Sequence, residues 1–156
     1  MGGGDAPLPE SGWCEAASRE RYAKCAVGVV RTCEDVADAD VPEWRRSRGR
    51  PVKKLTVDIG SRTLTVVTDE ANVAVGLRVI GACEGAPLED GCGTDYFVRE
   101  RLVCGVVSQG ELGTLHNLLL LGGNVVAVVP DSFALGPLPP GWEPLVLRAT
   151  SGSRTA

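Results

Sequence analysis

Two alternating stretches joined by two residues form the strongest local pattern in this sequence. Apolar and polar residues alternate without a break over residues 54–59, and the β-branched run 62–68 follows directly after Gly60 and Ser61. Strict alternation predicts a strand with one buried face. A two-residue connection that begins with glycine is typical of a type II′ hairpin, because that turn needs a positive φ at its first position. The sequence therefore predicts a hairpin at which one face of a sheet is buried.

Other short apolar runs extend this pattern along the chain. They predict strands at residues 24–31, 77–81, 102–107 and 125–130, with polar or glycine-rich loops at 33–52 and 83–100. The good helix formers at residues 13–22 predict one short lead-in helix. Several short strands with glycine-rich turns, and no long helical period, favour an all-β barrel or sandwich.

Length and hydropathy set the expected organisation. A chain of 156 residues suits one domain, which we place at residues 23–146, after a flexible lead-in at 1–22 and before a flexible tail at 147–156. No apolar stretch approaches the roughly 20 residues that a membrane-spanning helix needs, and the first residues lack the pattern of a secretory leader. We therefore expect a cytoplasmic protein with no membrane partner.

The cysteines and the histidine favour neither a metal site nor an enzyme. Six cysteines occur, no two of them in a Cys-x-x-Cys spacing, and we expect reduced thiols. Cys25 and Cys104 lie in apolar runs and are expected to act as small core residues. His116 is the sole histidine. Cys104 and His116 could in principle form a thiol–base pair, but a thiol in an apolar strand is usually inert. We expect no catalytic residues, no metal and no cofactor.

The charge of the chain is concentrated in one place. The formal net charge is −4, yet residues 44–54 hold six cations and no acid, while residues 1–43 and 55–156 each carry a net charge of −5. We call residues 44–54 the basic segment. One interpretation is a solvated loop that keeps the protein soluble, and another is a localisation signal. A third is an arm that contacts phosphates, because guanidinium groups pair bidentately with phosphate oxygens and Trp44 can stack on an exposed base.

Several short motifs, in order, resemble one known family. They are Val27–Val30, Ala37–Asp40, Lys54–Gly60, Val66–Thr68 with Ala71–Val73, Val75–Val79, Gly105–Gly110, and Val128–Asp131 with Leu138–Gly141. The most specific, Gly105-Val-Val-Ser-Gln-Gly110, resembles a Gly-Val-x-Ser-x-Gly-Met signature. That signature belongs to the tRNA-binding OB-fold family. The family includes the C-terminal domain of endothelial-monocyte-activating polypeptide, appended domains of some methionyl- and tyrosyl-tRNA synthetases, and free-standing bacterial tRNA-binding proteins.

The resemblance covers about residues 24–146 and implies both a fold and a function. The fold is a five-stranded OB-fold barrel, here with a short N-terminal helix and long loop insertions. The function is that of an accessory domain which captures tRNA in support of aminoacyl-tRNA synthetases, with tRNA, a synthetase or a multi-synthetase complex, and a second copy of the chain as partners. The residues expected to contact RNA are Trp44, Arg45, Arg46, Arg48, Arg50, Lys53, Lys54, Asn72, Arg99, Arg101, Ser108 and Gln109.

Two departures from the family pattern leave an alternative open. Cys104 stands where the family has a basic residue, and Glu111 stands where it has methionine. The alternative function is a protein-interaction or dimerisation module, a scaffold in a synthetase complex or a chaperone-like protein, that has lost most RNA binding. Its surface would be the apolar stretch 118–129 with the proline-rich stretch 136–144, although Leu118–Leu121 also suits a core and Trp142 is expected to pin the C-terminal segment to the barrel.

Overall fold

The computed structural model describes residues 20–120 and 122–147 of the chain. Of the predicted flexible lead-in at 1–22, residues 1–19 lie outside the described residues, and so does most of the predicted helix at 13–22. Of the predicted flexible tail at 147–156, residues 148–156 lie outside them, whereas the N–H of Leu147 donates to the carbonyl of Val128 over 2.7 Å.

The described residues form ten short strands, one short helix and two single turns of 3₁₀ helix, and residues 20 and 21 are helical as well. The strands are β1 (Cys25–Asp35), β2 (Lys53–Asp58), β3 (Thr63–Thr68), β4 (Arg78–Cys83), β5 (Pro87–Glu89), β6 (Asp95–Phe97), β7 (Arg101–Val103), β8 (Val106–Ser108), β9 (Gly110–Leu112) and β10 (Gly136–Pro137). Helix α1 spans Glu43–Arg46, and the 3₁₀ turns span Asp38–Asp40 and Glu143–Leu145.

Five of these strands build a barrel. They pair antiparallel in the order β3-β2-β1-β4-β9, and β10 adds to β1. The backbone N–H of Gln109 donates to the carbonyl of Thr65 over 2.7 Å, so the chain just before β9 returns to β3 and nearly closes the sheet. Strand β1 pairs with both β2 and β4 and sits at the centre of the sheet. The predicted all-β, OB-like barrel of five strands is confirmed.

The predicted hairpin is confirmed as the β2–β3 pair. Asp58 pairs with Thr63 in the ladder, and the N–H of Ile59 donates to the carbonyl of Arg62 over 3.0 Å. Gly60 has a φ of +91°, a conformation that residues with a side chain rarely adopt. The turn therefore depends on the glycine, as the sequence pattern indicated.

Two apolar clusters pack on opposite faces of the sheet. The first lies inside the barrel and packs the inward residues of β2 and β3, including Leu55 and Leu64, against Val79 of β4. The second packs against the other face of β1 and β4 and includes Ile80 and Trp142. Alternation along β4 places Val79 and its neighbour Ile80 on opposite faces, one in each cluster.

Trp142 holds the C-terminal segment against the barrel, as predicted. Its side chain is 3% exposed and meets the ring of Tyr22 edge to face, with the ring centroids 5.2 Å apart. The hydroxyl of Tyr22 donates to the carbonyl of Leu118 over 2.6 Å. These contacts join the start, the middle and the end of the described chain in one core.

Three predictions for individual segments were wrong. The expected loop 83–100 contains the β5–β6 hairpin. The expected single strand 102–107 is the β7–β8 hairpin, with Cys104 and Gly105 in its turn at φ of 51° and 80°. Residues 125–130 form isolated pairings instead of a strand. Short apolar runs carry no signal that separates one strand from two folded back on each other.

The burial of individual apolar residues also differs from the prediction in two places. Cys25 is buried in the core, and burial raises the pKa of its thiol to about 12, whereas Cys104 is half-buried in a turn and is not a core residue. Leu118 is 1% exposed, but Leu119 is 58% exposed. The five cysteines that the structure describes are free thiols.

Asp58 stabilises the hairpin through its charge. Its carboxylate accepts the N–H of Gly60 over 2.8 Å and pairs with the guanidinium of Arg31 over 2.9 Å. The hydrogen bond from Gly60, with the help of Arg31, lowers the pKa of Asp58 below its usual range. A lowered folded-state pKa gives stability that is present above the unfolded pKa of about 3.9 and is lost as the pH falls through the folded value.

We therefore expect Asp58→Asn to flatten the acid limb of the stability curve. The free energy of unfolding by urea, measured from pH 6 down to pH 2, should fall less steeply below about pH 4 in the variant than in the wild type. Asp131→Asn, which removes an exposed carboxylate elsewhere, is the control and should keep the wild-type slope. Equal slopes for Asp58→Asn and the wild type would contradict this role.

Candidate nucleic-acid interface

The basic segment forms most of the connection between β1 and β2. The N–H of Val36 donates to the carbonyl of Val52 over 2.9 Å and closes the base of this connection. Inside it, Pro42 precedes helix α1, where its fixed φ and missing N–H are compatible with a helix start. The segment is thus built into the fold at the point where it enters β2.

Three arginines of the basic segment converge on one carboxylate. Guanidinium nitrogens of Arg45, Arg48 and Arg50 lie 3.8, 3.4 and 3.5 Å from Oδ2 of Asp69, whose side chain is 13% exposed. Asp69 directly follows β3, and the β2–β3 register pairs Lys53 with Thr68, which brings the two segments side by side. One carboxylate neutralises one of three cations, so the cluster keeps an excess of positive charge.

Trp44 stands on the outside of this cluster. Its side chain is 57% exposed, and the guanidinium carbons of Arg45 and Arg48 lie 5.0 and 5.4 Å from its ring centroid, within cation–π range. The two arginines therefore hold the ring while leaving much of it open to solvent. Arg46 instead pairs with Glu43 over 2.8 Å, so its charge is balanced within helix α1.

The two lysines that end the basic segment lie in β2. Lys53 and Lys54 are half-buried and pair with Thr68 and Val67 in the β2–β3 ladder. Within residues 20–120 and 122–147, neither forms a salt bridge. In the β1–β2 ladder, Asp35 and Glu34 stand directly opposite Lys53 and Lys54, so the excess of positive charge lies in the loop and not on the sheet.

A polar cleft of about 240 Å³ opens beside the arginine cluster. The residues that carry its chemistry are Arg45, Asp69, Glu70, Tyr96, Arg101 and Glu111. The hydroxyl of Tyr96 donates to Glu111 over 2.6 Å, and burial, with the help of this bond, raises the pKa of Tyr96. Arg101 lies 4.0 Å from the same carboxylate. Glu111, which departs from the family pattern, is therefore paired inside the cleft.

Ser108 and Gln109 join strands in the structure. The Ser108 hydroxyl accepts the N–H of Val67 over 3.0 Å and donates to the carbonyl of Gly110 over 3.1 Å, and the residue is buried. The side-chain oxygen of Gln109 accepts the N–H of Thr65 over 2.8 Å. A Cβ at Gly110 would lie 2.6 Å from the carbonyl oxygen of Ala82. The Ser-Gln-Gly motif thus closes the barrel, and RNA contact by its side chains stays a prediction.

Asn72 also bonds to the backbone. Its amide nitrogen donates to the carbonyl of Val126 over 3.1 Å, and its oxygen accepts the N–H of the same residue over 3.1 Å. These two hydrogen bonds join the segment after β3 to the segment that lies across β4. As with Ser108 and Gln109, contact with RNA at Asn72 stays a prediction.

The structure brings some predicted residues together and separates others. Arg45 and Arg101 line the same cleft, whereas Arg99 is exposed and has no ion pair among the described residues. Sequence reasoning missed Asp69, Glu70 and Tyr96. The hairpin itself held the signal for the first two, because pairing residues 53–58 with 63–68 places whatever follows β3 next to whatever precedes β2.

The comparisons with known proteins add no identity to this architecture. The sequence matches no model of a known protein family, and no curated protein matches it. Over the described residues, no helix is long and apolar enough to cross a membrane, and no group of three or more side chains is arranged to hold a metal ion. The class that the fold defines is an all-β, OB-like barrel, and the likeness to the tRNA-binding family stays a resemblance.

Proposed function

We propose that this protein is an RNA-binding OB-fold module that holds the phosphate backbone with its basic segment. The observation that carries the proposal is the gathering of Arg45, Arg48 and Arg50 around Asp69, beneath the exposed ring of Trp44. OB folds bind oligonucleotides on the face of their second and third strands and on the loops that join strands one to two and four to five. The basic segment is the first of these loops.

The second of these loops also borders the arginine cluster. It runs from β4 to β9 and carries the β5–β6 and β7–β8 hairpins, which contribute Tyr96 and Arg101 to the polar cleft. At the tip of the second hairpin, a Cβ on Gly105 would lie 3.9 Å from the carboxyl carbon of Asp40 in the first loop. The two loops that OB folds use for binding are therefore adjacent, with cations on both.

Order in the basic segment favours binding over mere solubility. Exposed ion pairs contribute little to stability, so a segment that only served solubility would not be expected to gather three guanidinium groups around one carboxylate. Arginine forks that are already positioned lose less conformational freedom when they meet a phosphate. The exposed ring of Trp44 adds a stacking platform, which single-stranded regions of RNA use without regard to sequence.

The RNA that the family resemblance suggests is tRNA. In this proposal, the protein captures tRNA electrostatically and raises its local concentration for an aminoacyl-tRNA synthetase. The acidic remainder of the chain, with a net charge of −5 on each side of the basic segment, repels polyanions elsewhere. Binding is therefore focused at one place on the surface.

A salt titration of tRNA binding tests the proposal. If about five cations of the basic segment meet phosphates, the logarithm of the association constant should fall against the logarithm of the salt concentration with a slope of about −3.5 to −4.5. Filter binding or fluorescence anisotropy between 50 and 300 mM KCl measures it. A slope near zero, or no retention of tRNA at 50 mM salt, would refute the proposal and favour the protein-interaction module.

Heparin serves as a control for charge alone. A module that recognises RNA should release tRNA less readily to heparin than a simple cation cluster would, because heparin offers neither bases for Trp44 nor ribose 2′-hydroxyl groups. If heparin displaces tRNA at an equal concentration of negative charge, the interface is a nonspecific polyanion site.

A further inference from the structure

We propose that the polar cleft receives a single unpaired base with an exocyclic amino group, and that Glu70 accepts a hydrogen bond from it. The bases of this kind are cytosine, adenine and guanine, and uracil is the one excluded. This inference rests on the proposed RNA-binding function and adds a selectivity to it. It concerns residues other than the cations that hold the backbone.

The charges that line the cleft indicate where a phosphate would bind and where a base would bind. Three carboxylates, those of Asp69, Glu70 and Glu111, stand in the cleft wall against two arginines, Arg45 and Arg101. Arg48 and Arg50 add two further cations beside Asp69, so a phosphate is expected at the arginine cluster, while the carboxylates of Glu70 and Glu111 disfavour a second anion next to them. A neutral group that donates hydrogen bonds suits the interior.

Glu70 is the carboxylate that remains available. Asp69 is held by three guanidinium groups, and Glu111 accepts the hydroxyl of Tyr96. Among the described residues, no side chain or backbone group donates a hydrogen bond to the carboxylate of Glu70, although Arg50 lies close enough to act on it electrostatically. Glu70 is half-buried, and burial raises its pKa; a base that fills the cleft would remove water from the carboxylate, and a donor on that base would replace the lost hydrogen bond.

The size and the lining of the cleft also suit one base. Its volume of about 240 Å³ is below the roughly 300–1,000 Å³ of pockets that enclose drug-sized ligands, and Tyr96 adds an aromatic ring to the wall. Asn124, exposed at the rim, carries an amide that pairs with no described residue and is able to donate to or accept from a base edge.

Carboxylates accept hydrogen bonds from the amino group of cytosine in the direct reading of nucleic acids, and adenine and guanine carry the same kind of donor. Uracil presents carbonyl oxygens on both sides of its one N–H, and these oxygens would face a carboxylate unfavourably. A polar site rejects a ligand that lacks the group it is built for, because its own buried group is then left unpaired. The cleft therefore selects against uracil.

The test compares short RNAs that differ at one base. Fluorescence anisotropy measures binding of a labelled nine-residue oligouridine and of the same oligomer with one central cytidine or adenosine, at fixed salt. We expect the wild-type protein to bind the substituted oligomers about 5- to 100-fold more tightly. Equal affinities for the three RNAs, with a normal salt slope, would overturn this inference and leave the proposed function standing. No binding of any RNA would overturn both.

Two variants locate the selectivity. Glu70→Ala removes the acceptor and should bring the three affinities within about twofold of one another, without weakening the binding of oligouridine. Glu84→Ala removes an exposed carboxylate from the β4–β5 loop and should keep the wild-type preference. A preference that survives Glu70→Ala, or that Glu84→Ala abolishes equally, would refute the role of Glu70. The wild-type comparison stays decisive if a thermal melt shows that Glu70→Ala is unfolded.

Discussion

Replacing Arg48 and Arg50 together with glutamine should weaken tRNA binding about 25- to 60-fold at 0.1 M salt. Each phosphate contact contributes about 0.7–0.9 to the slope of affinity against salt on logarithmic axes, so two lost contacts lower the slope by about 1.4–1.8. The 25- to 60-fold figure is this change in slope applied over the tenfold range from 1 M salt, where the electrostatic contribution to affinity vanishes, to 0.1 M salt. Both side chains are exposed and reach only Asp69, Glu70 and the ring of Trp44 on the surface, with no contact in the core, so the fold should tolerate the change.

The matched control removes the same charge from another part of the barrel. Lys24 lies just before β1 and Arg62 lies in the β2–β3 turn, at the end of the hairpin opposite the basic segment. Their joint replacement by glutamine should change tRNA affinity by less than about threefold, because exposed charges more than a Debye length apart are largely screened. Equal losses in the two double variants would mean that net charge governs binding and that the arginine cluster has no special part.

Replacing Trp142 with alanine should lower the free energy of unfolding by about 3–5 kcal/mol. Large-to-small changes of a buried aromatic residue lose both its transfer free energy and the contacts around the cavity that remains. Trp142 is the point at which the C-terminal segment meets Tyr22 in the second core cluster. Urea unfolding followed by circular dichroism measures the change.

Trp44 is the matched surface residue for this experiment. Trp44→Ala should leave the free energy of unfolding within about 1 kcal/mol of the wild type, because substitutions on the surface have small effects. It should nevertheless weaken RNA binding by about 1–3 kcal/mol, the contribution of one stacked base. A large loss of stability in Trp44→Ala, or none in Trp142→Ala, would contradict the positions that the structure assigns to the two tryptophans.

The parts of the fold that depend on local pattern were predictable. The β2–β3 hairpin followed from strict alternation and from one glycine at a position of positive φ, β1 followed from a run with period two, and β4 followed from a short apolar run. These signals are local, because alternation reports which face of a strand is buried. They were sufficient for an all-β barrel.

The long connection between β4 and β9 was less predictable for the same reason. The turn at Cys104 and Gly105 has one residue with a side chain at positive φ, and the sequence has no Asn-Gly or Asp-Gly there to signal it. A run of valine and leucine around it therefore resembled one strand. Folding it into two strands exposes Leu102 and Val107, which the local pattern had placed together in one continuous element.

The family resemblance assigned Ser108, Gln109 and Asn72 to RNA, and in the structure their side chains bond to backbone groups far away in the chain. Ser108 meets Val67, Gln109 meets Thr65 and Asn72 meets Val126. A polar side chain in a short motif shows that hydrogen bonds are made, but not with which partner. Closure of the barrel decides that partner, since it depends on where β3 lies relative to the chain before β9.

The sequence by itself determined the hairpin, the all-β class and the concentration of positive charge in residues 44–54, because strand faces and charge density are properties of neighbouring residues. The tertiary structure alone decided that Arg45, Arg48 and Arg50 meet at Asp69 and that Glu70 stands beside them in a cleft with Tyr96 and Arg101. These groups come from four separate segments of the chain. Coulombic and hydrogen-bonding interactions act over a few ångströms of space, whatever the separation in sequence, so they appear only once the barrel has brought the segments together.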